Sequence, residues 1–240
     1  MAVEVLEQLY EGKAKKVFRT SDENLYMVEY KDDATAFNGE KRGTIEGKGV
    51  INNKVSAMLF QELEKHGIET HLVEYIDDTH MLVKRVEIVL LEVISRNIVA
   101  GSLAKRVGKE EGFVLPQPIL EFSYKNDDLG DPMINRYHAT ALGIATDEEI
   151  DEIIAQAFKI NEILQEVFAK ANLTLVDFKL EFGRTPDGKI ILADEISPDT
   201  CRLWDTDTQE KLDKDRFRRD LGGVEEAYVE VYNRLKKIGL

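Results

Sequence analysis

The first thirty positions alternate short apolar runs with turn-forming residues. Val3, Val5, Leu6 and Leu9-Tyr10 lead to Gly12, then come Val17-Phe18, a polar stretch at residues 21–24, and an apolar run at residues 25–30. Runs of this length and punctuation predict an antiparallel β meander. Ile51, Val55, Met58, Leu59 and Leu63 then recur at helical spacing, with Asn52 as the expected cap and His66-Gly67 as the stop. Residues 71–76 and 81–86 predict a second strand pair turned at Asp77-Asp78, and the mostly apolar stretch 86–100 is expected to cross between two lobes.

The longest predicted helix opens at Thr146, three residues before Glu149, which is the capping-box spacing. Ile150, Ile153, Ile154, Ala157, Phe158, Asn161, Leu164, Val167 and Phe168 fall on one face of it. Residues 176–182 alternate as a strand, Asp187-Gly188 is a turn signal, and residues 190–196 return. Val224, Ala227, Tyr228, Val231, Leu235 and Ile238 predict a closing helix, whose stripe serves either the core or a second copy. The pattern divides into a β-rich lobe at residues 1–85 and a larger α+β lobe at 86–240, with a cleft between them.

Charge narrows the function. The 240 residues carry 32 lysines and arginines against 46 aspartates and glutamates, a net charge of −14. Such an excess disfavours nucleic acid as a partner, so an anionic ligand must be met by a local basic cluster or by metal. The single cysteine, Cys201, makes no intramolecular disulfide and is expected to be a packing residue. No apolar run approaches the roughly 18 residues of a membrane span, and a cytoplasmic location is expected.

Three local patterns carry candidate chemistry. Gly12-Lys13-Ala14-Lys15-Lys16 sits where one strand turns into the next, either as a flap holding a polyphosphate or as a solvated hairpin. In residues 176–182, Val176, Phe178, Leu180 and Phe182 take one face and Asp177, Lys179 and Glu181 the other. A two-residue turn at Asp187-Gly188 would set Glu181 opposite Asp194, with Cβ atoms about 4.5–5.5 Å apart. Two facing carboxylates need a cation: Mg²⁺ bridging to phosphates, or a lysine such as Lys179. Finally, Arg96 and Lys105-Arg106, with Lys125 and Arg202, offer a basic cluster in an acidic chain, and the small residues Ala100-Gly101-Ser102 would free a helix amino terminus for a phosphate.

Taken in order, Tyr10-Glu11-Gly12-Lys13-Ala14-Lys15, Gly49-Val50-Ile51-Asn52-Asn53-Lys54, Arg96-Asn97 through Ser102, residues 176–183, Asp194-Glu195-Ile196-Ser197-Pro198-Asp199, Arg202-Leu203-Trp204-Asp205 and Lys214-Asp215-Arg216-Phe217-Arg218 closely resemble the SAICAR synthetase family. The resemblance spans nearly the whole chain. It implies an α+β, two-lobed fold with an antiparallel β amino-terminal lobe on a larger α+β lobe and ATP in the cleft. It also implies ligation of 5-amino-1-(5-phospho-D-ribosyl)imidazole-4-carboxylate (CAIR) to L-aspartate with ATP and Mg²⁺, in a homodimer.

By resemblance, Lys13, Ala14 and Lys15 belong to the phosphate flap and Lys84 and Val86 to the adenine-side strand. Glu181 and Asp194 match metal carboxylates, and Arg96, Ser102, Asp199 and Arg202 match residues around the ribonucleotide. Lys125 and Lys179 match lysines facing the cleft, with Lys179 and Asp199 the candidates for catalysis. Residues 33–38 depart from the family's T-S-x-D pattern at Ala36 and Asn38. Two rival classes are a kinase-like phosphotransferase and a nucleotide-binding module without turnover. The protein-kinase H-R-D and D-F-G arrangements are absent.

Overall fold

The computed structural model describes residues 3–36 and 39–240, so Phe37 and Asn38 of the 33–38 loop lie outside it. Strands β1 (Val5–Glu11), β2 (Lys15–Thr20) and β3 (Leu25–Tyr30) form the expected meander. A short hairpin follows, β4 (Asp33–Ala36) and β5 (Lys41–Thr44). After helix α1 (Lys48–Lys65), β6 (Leu72–Tyr75) and β7 (His80–Lys84) complete a five-stranded sheet of order β1-β2-β3-β7-β6.

Helix α1 starts earlier than expected. Its cap is Gly47, in the left-handed region at φ 75°, and Asn52 lies inside the helix and is fully buried. Glycine takes that conformation without a Cβ clash, so the backbone and not a side-chain cap sets the start.

Between Lys84 and Glu87 the chain passes to a second sheet. Its strands are β8 (Glu87–Ile88), β9 (Leu91–Ile98), β10 (Val114–Tyr124), β11 (Met133–Ile134), β12 (Leu173–Arg184), β13 (Ile190–Ala193) and β14 (Cys201–Asp205), in the path β11-β10-β9-β12-β13 with β8 and β14 also on β12. Helices α2 (Gly101–Val107), α3 (Arg136–Ala141), α4 (Asp147–Lys170), α5 (Asp215–Arg218) and α6 (Val224–Lys237) complete the fold. A parallel bridge from Thr70 to Leu192 links the sheets, and one hydrophobic core runs through both.

The Thr146–Glu149 capping box forms as expected. On α4, however, Ile160 takes the core position and Phe158 is exposed. The α6 stripe of Ala227, Tyr228, Val231 and Leu235 lies in the core, so it is not available to a second copy.

Two departures occur on β12. A bulge between Leu175 and Asp177 shifts the parity of the strand. Phe178, Leu180 and Phe182 therefore share the main core with Leu173 and Leu175, while Val176 packs with Ile98, Ala100 and Trp204. The hairpin register also differs from expectation by one. Glu181 faces Ala193, because Pro186-Asp187-Gly188 makes a longer turn, closed by Thr185 and Lys189. β13 stops at Ala193 because Asp194 is left-handed at φ 60°.

Candidate active site

A cavity of about 1180 Å³ lies between the two sheets, and every residue to which the resemblance gives a role lines it, whereas Lys16 and Lys105 of the basic patterns do not. The β1–β2 turn contributes Lys13, Ala14 and Lys15, closed by the Gly12 N–H donating to the Lys15 carbonyl at 2.8 Å. Lys84 and Val86 contribute from the strand leaving the first sheet, with Lys84 Nζ donating to the Thr70 carbonyl at 2.9 Å. From the second sheet and its loops come Arg96, Ser102, Lys125, Lys179, Glu181, Asp194, Asp199 and Arg202.

Although the register does not pair Glu181 with Asp194, the left-handed turn at Asp194 achieves the same meeting. Lys179 Nζ donates to Glu181 Oε1 and, at 3.3 Å, to Asp194 Oδ2. Lys125 Nζ reaches Glu181 Oε1 at 3.0 Å. Lys15 Nζ pairs with Asp194 Oδ1 and, at 3.2 Å, with Glu195. Burial opposes the charges of Lys15, Lys179 and Asp194, but their partners win. Lys15 and Lys179 are held above the ordinary lysine range by Asp194 with Glu195 and by Glu181 with Asp194, respectively. Asp194, facing Lys15 and Lys179, is held far below the carboxylate range.

Among the described residues no three His, Cys, Asp or Glu side chains are grouped to hold a metal on their own. Two carboxylates sharing one cation, Glu181 buried and Asp194 half-buried, beside lysines fit for phosphates, suit an ion such as Mg²⁺, which commonly takes one or two carboxylates and completes its shell with phosphate and water.

A second charged group lies on the same cavity. Arg96, on β9, donates to Asp177 Oδ2 and to Glu121 Oε2, each at 2.8 Å, and to Ser102 Oγ at 3.3 Å. Arg202, on β14, donates to Asp177 Oδ2 at 2.9 Å and to Asp215 Oδ2 at 3.1 Å. The register of β12 with β9 and β14 sets Asp177 opposite both arginines. A Cβ on Gly101 would lie 2.8 Å from the Arg202 guanidinium carbon, so glycine at the head of α2 makes room for that arginine. Lys214 and Arg218 add further cations to this wall.

Asp199 is held from three directions. Lys48 Nζ donates to it at 2.9 Å, Lys214 Nζ at 3.4 Å and the Tyr228 hydroxyl at 2.5 Å. Burial works against its charge, yet Lys214 and Lys48 keep it well below the usual carboxylate range. Sequence reasoning missed Lys48 and Tyr228. Lys48 sits between two glycines and reads as loop, and Tyr228 falls in an apolar stripe. It also left Asp177 unassigned, although the charged face of 177–181 was the available signal. Cys201 is buried, and burial raises its thiol pKa, consistent with a packing role.

A cleft that gathers lysines, carboxylates and arginines between a β lobe and an α+β lobe defines an enzyme class built to hold several anions together. The chain belongs to the SAICAR synthetase family, whose model matches residues 8–235. It is 61% identical over 233 residues to the phosphoribosylaminoimidazole-succinocarboxamide synthase of Coprothermobacter proteolyticus, covering 97% of this chain and 99% of that one. The crystal structure of the same enzyme from Ehrlichia chaffeensis superposes with a TM-score of 0.94 at 44% identity, covering 96% of this chain and 98% of that one. A type-2 SAICAR synthetase in complex with ADP matches with a TM-score of 0.92 at 52% identity, covering 95% and 97%. Among the described residues no helix is long and apolar enough to cross a membrane.

Proposed function

We propose that this chain is a cytoplasmic ATP-dependent ligase that joins CAIR to L-aspartate, giving SAICAR, ADP and phosphate. The carrying observation is that one cavity holds two separate charged groups, a lysine–carboxylate network and an arginine pair joined through the buried Asp177. The ADP complex of a 52% identical relative supports the use of a nucleotide, which this reading assigns to the first group. On this reading residues 1–85 are the nucleotide lobe and 86–240 the substrate lobe.

A carboxylate is a poor acyl donor, since amine attack would expel oxide. Transfer of the γ-phosphoryl group to the CAIR carboxylate makes an acyl phosphate, which the aspartate amine attacks with loss of phosphate. Lys13 and Lys15 neutralise the phosphate chain, and Lys84 with Val86 borders the base. Arg96, Ser102 and Arg202 fix the ribonucleotide phosphate. Lys125 and Lys179 face the charge that develops on the transferring group. Like charges within about 4 Å repel by several kcal/mol at an effective dielectric near 20, so this neutralisation and positioning is most of the catalysis. Mg²⁺, held by Glu181 and Asp194, would withdraw charge from the phosphate oxygens. Asp199, with three donors on its carboxylate, is a weak base and is assigned to positioning.

ADP release measured with CAIR, with and without aspartate, tests the reading. Sustained release that requires both substrates is expected. Equal release without aspartate identifies a phosphotransferase, and binding without release a module that does not turn over.

A further inference from the structure

If Glu181 and Asp194 carry a divalent cation, as read above, both are already engaged. Lys179 Nζ lies on both carboxylates, with Glu92 at 3.7 Å, while Lys125 holds Glu181 and Lys15 holds Asp194. Lys179 extends from β12, flanked by β9 at Ile94, with only 24% of its side chain exposed. It has little freedom to withdraw into water.

We propose that Lys179 is an interlock: its ammonium keeps the place between Glu181 and Asp194 and yields it only to a divalent cation that arrives with a polyphosphate. A bare divalent cation entering there would face the ammonium groups of Lys15, Lys125 and Lys179 at once. It would also take Glu181 and Asp194 from them, leaving Lys15 with Glu195 and Lys179 with Glu92 alone. A polyphosphate reverses that balance, because its oxygens offer the lysines new acceptors as the carboxylates turn to the metal. Metal and polyphosphate therefore bind with strong positive coupling, and each raises the other's affinity by the same factor. Coupling between sites commonly spans about 5- to 150-fold, and the upper part of that range is expected here.

The test uses Mn²⁺ alone, titrated into the nucleotide-free full chain, with the free ion followed by electron paramagnetic resonance. Wild type should leave the ion free. Lys179→Met should take up one Mn²⁺ at least about tenfold more tightly, and adding Glu181→Gln should abolish that uptake. The variant keeps Lys125 on Glu181 and Lys15 on Asp194, so neither carboxylate is left bare. Lys179→Gln serves if the methionine variant does not fold.

Uptake by wild type as tight as by the variant overturns the interlock. So does a folded variant that still ignores Mn²⁺, or uptake that survives Glu181→Gln. The proposed function fails separately, by absence of aspartate-dependent ADP release in wild type. The titration can overturn the interlock while that turnover stands.

Discussion

Two buried titratable residues make opposite demands on pH. Asp213 is fully buried and accepts hydrogen bonds from the Leu203 N–H at 2.8 Å and the Asp215 N–H at 2.6 Å. Burial, reinforced by the neighbouring Asp215 charge, pushes its carboxyl up to about 7. Its contribution to stability is therefore fully present below the unfolded carboxylate pKa of about 4 and is lost as pH rises through about 7. Burial and then the Lys15 charge push His71 down to about 3. That contribution is present above the unfolded value of about 6.5 and is lost as pH falls toward 3. Asp213→Asn should remove the first trend and leave the second, so its melting temperature falls from pH 7 to pH 5; an unchanged profile in calorimetry contradicts the assignment. Arg202 supplies a different residue-scale prediction. Its removal leaves Asp177 with Arg96, and Asp215 with Arg218 at 2.6 Å and Arg219 at 3.4 Å, so the fold should survive. Losing a charge-assisted hydrogen bond costs about 1.5–3 kcal/mol, so Arg202→Ala should raise KM for CAIR about ten- to hundredfold while KM for ATP stays nearly constant. Equal effects on both constants in steady-state kinetics would place Arg202 elsewhere.

Helix α2 meets Arg202 through Gly101, whose φ of 53° is left-handed and whose missing Cβ leaves space for the guanidinium. Gly101→Ala should therefore displace Arg202 and raise KM for CAIR in the same direction as Arg202→Ala, with about 1–2 kcal/mol of backbone strain lowering the melting point. The double variant should be no worse for CAIR than Arg202→Ala alone, since both act on one contact. Additive effects in that cycle would separate them. Most elements legible from local pattern lie away from this contact, and β10 and β14 beside it were not read from the sequence. The meander, the Thr146 cap and the returning hairpin each depend on residues a few positions apart. The hairpin register was not legible, because Pro186 extends a turn whose length the Asp187-Gly188 pair alone does not determine. Nor was the meeting of Glu181 with Asp194, which depends on one left-handed residue and not on strand pairing. Of the site, the lysines and arginines stood out as charge in an acidic chain. Lys48 did not, because its partner Asp199 lies 151 residues away and only the packed fold brings them together.

Across the whole molecule, lysines near the amino terminus reach carboxylates far along the chain. Lys15 pairs with Asp194 and Glu195, Lys48 with Asp199 at 2.9 Å, and Lys41 with Asp220 at 2.6 Å. The buried pairs should contribute more to the pH response than the exposed ones, which solvent screens. Asp194 and Asp199 have folded pKa values held well below the ordinary range by their lysines. Their contributions are present above about pH 4 and are lost as pH falls through the depressed values. Between pH 7 and pH 5, then, these cross-sheet pairs stay intact while Asp213 gains and His71 loses. The two act in opposite directions over overlapping windows and offset each other. The melting temperature of wild type should therefore be almost level from pH 7 to pH 5 and fall steeply below pH 4. His71→Gln should tilt the level region upward toward low pH, the mirror of Asp213→Asn. Calorimetry on the three proteins across pH 3–8 decides it: parallel profiles would mean that neither residue governs the response, and that the overall charge of −14 does.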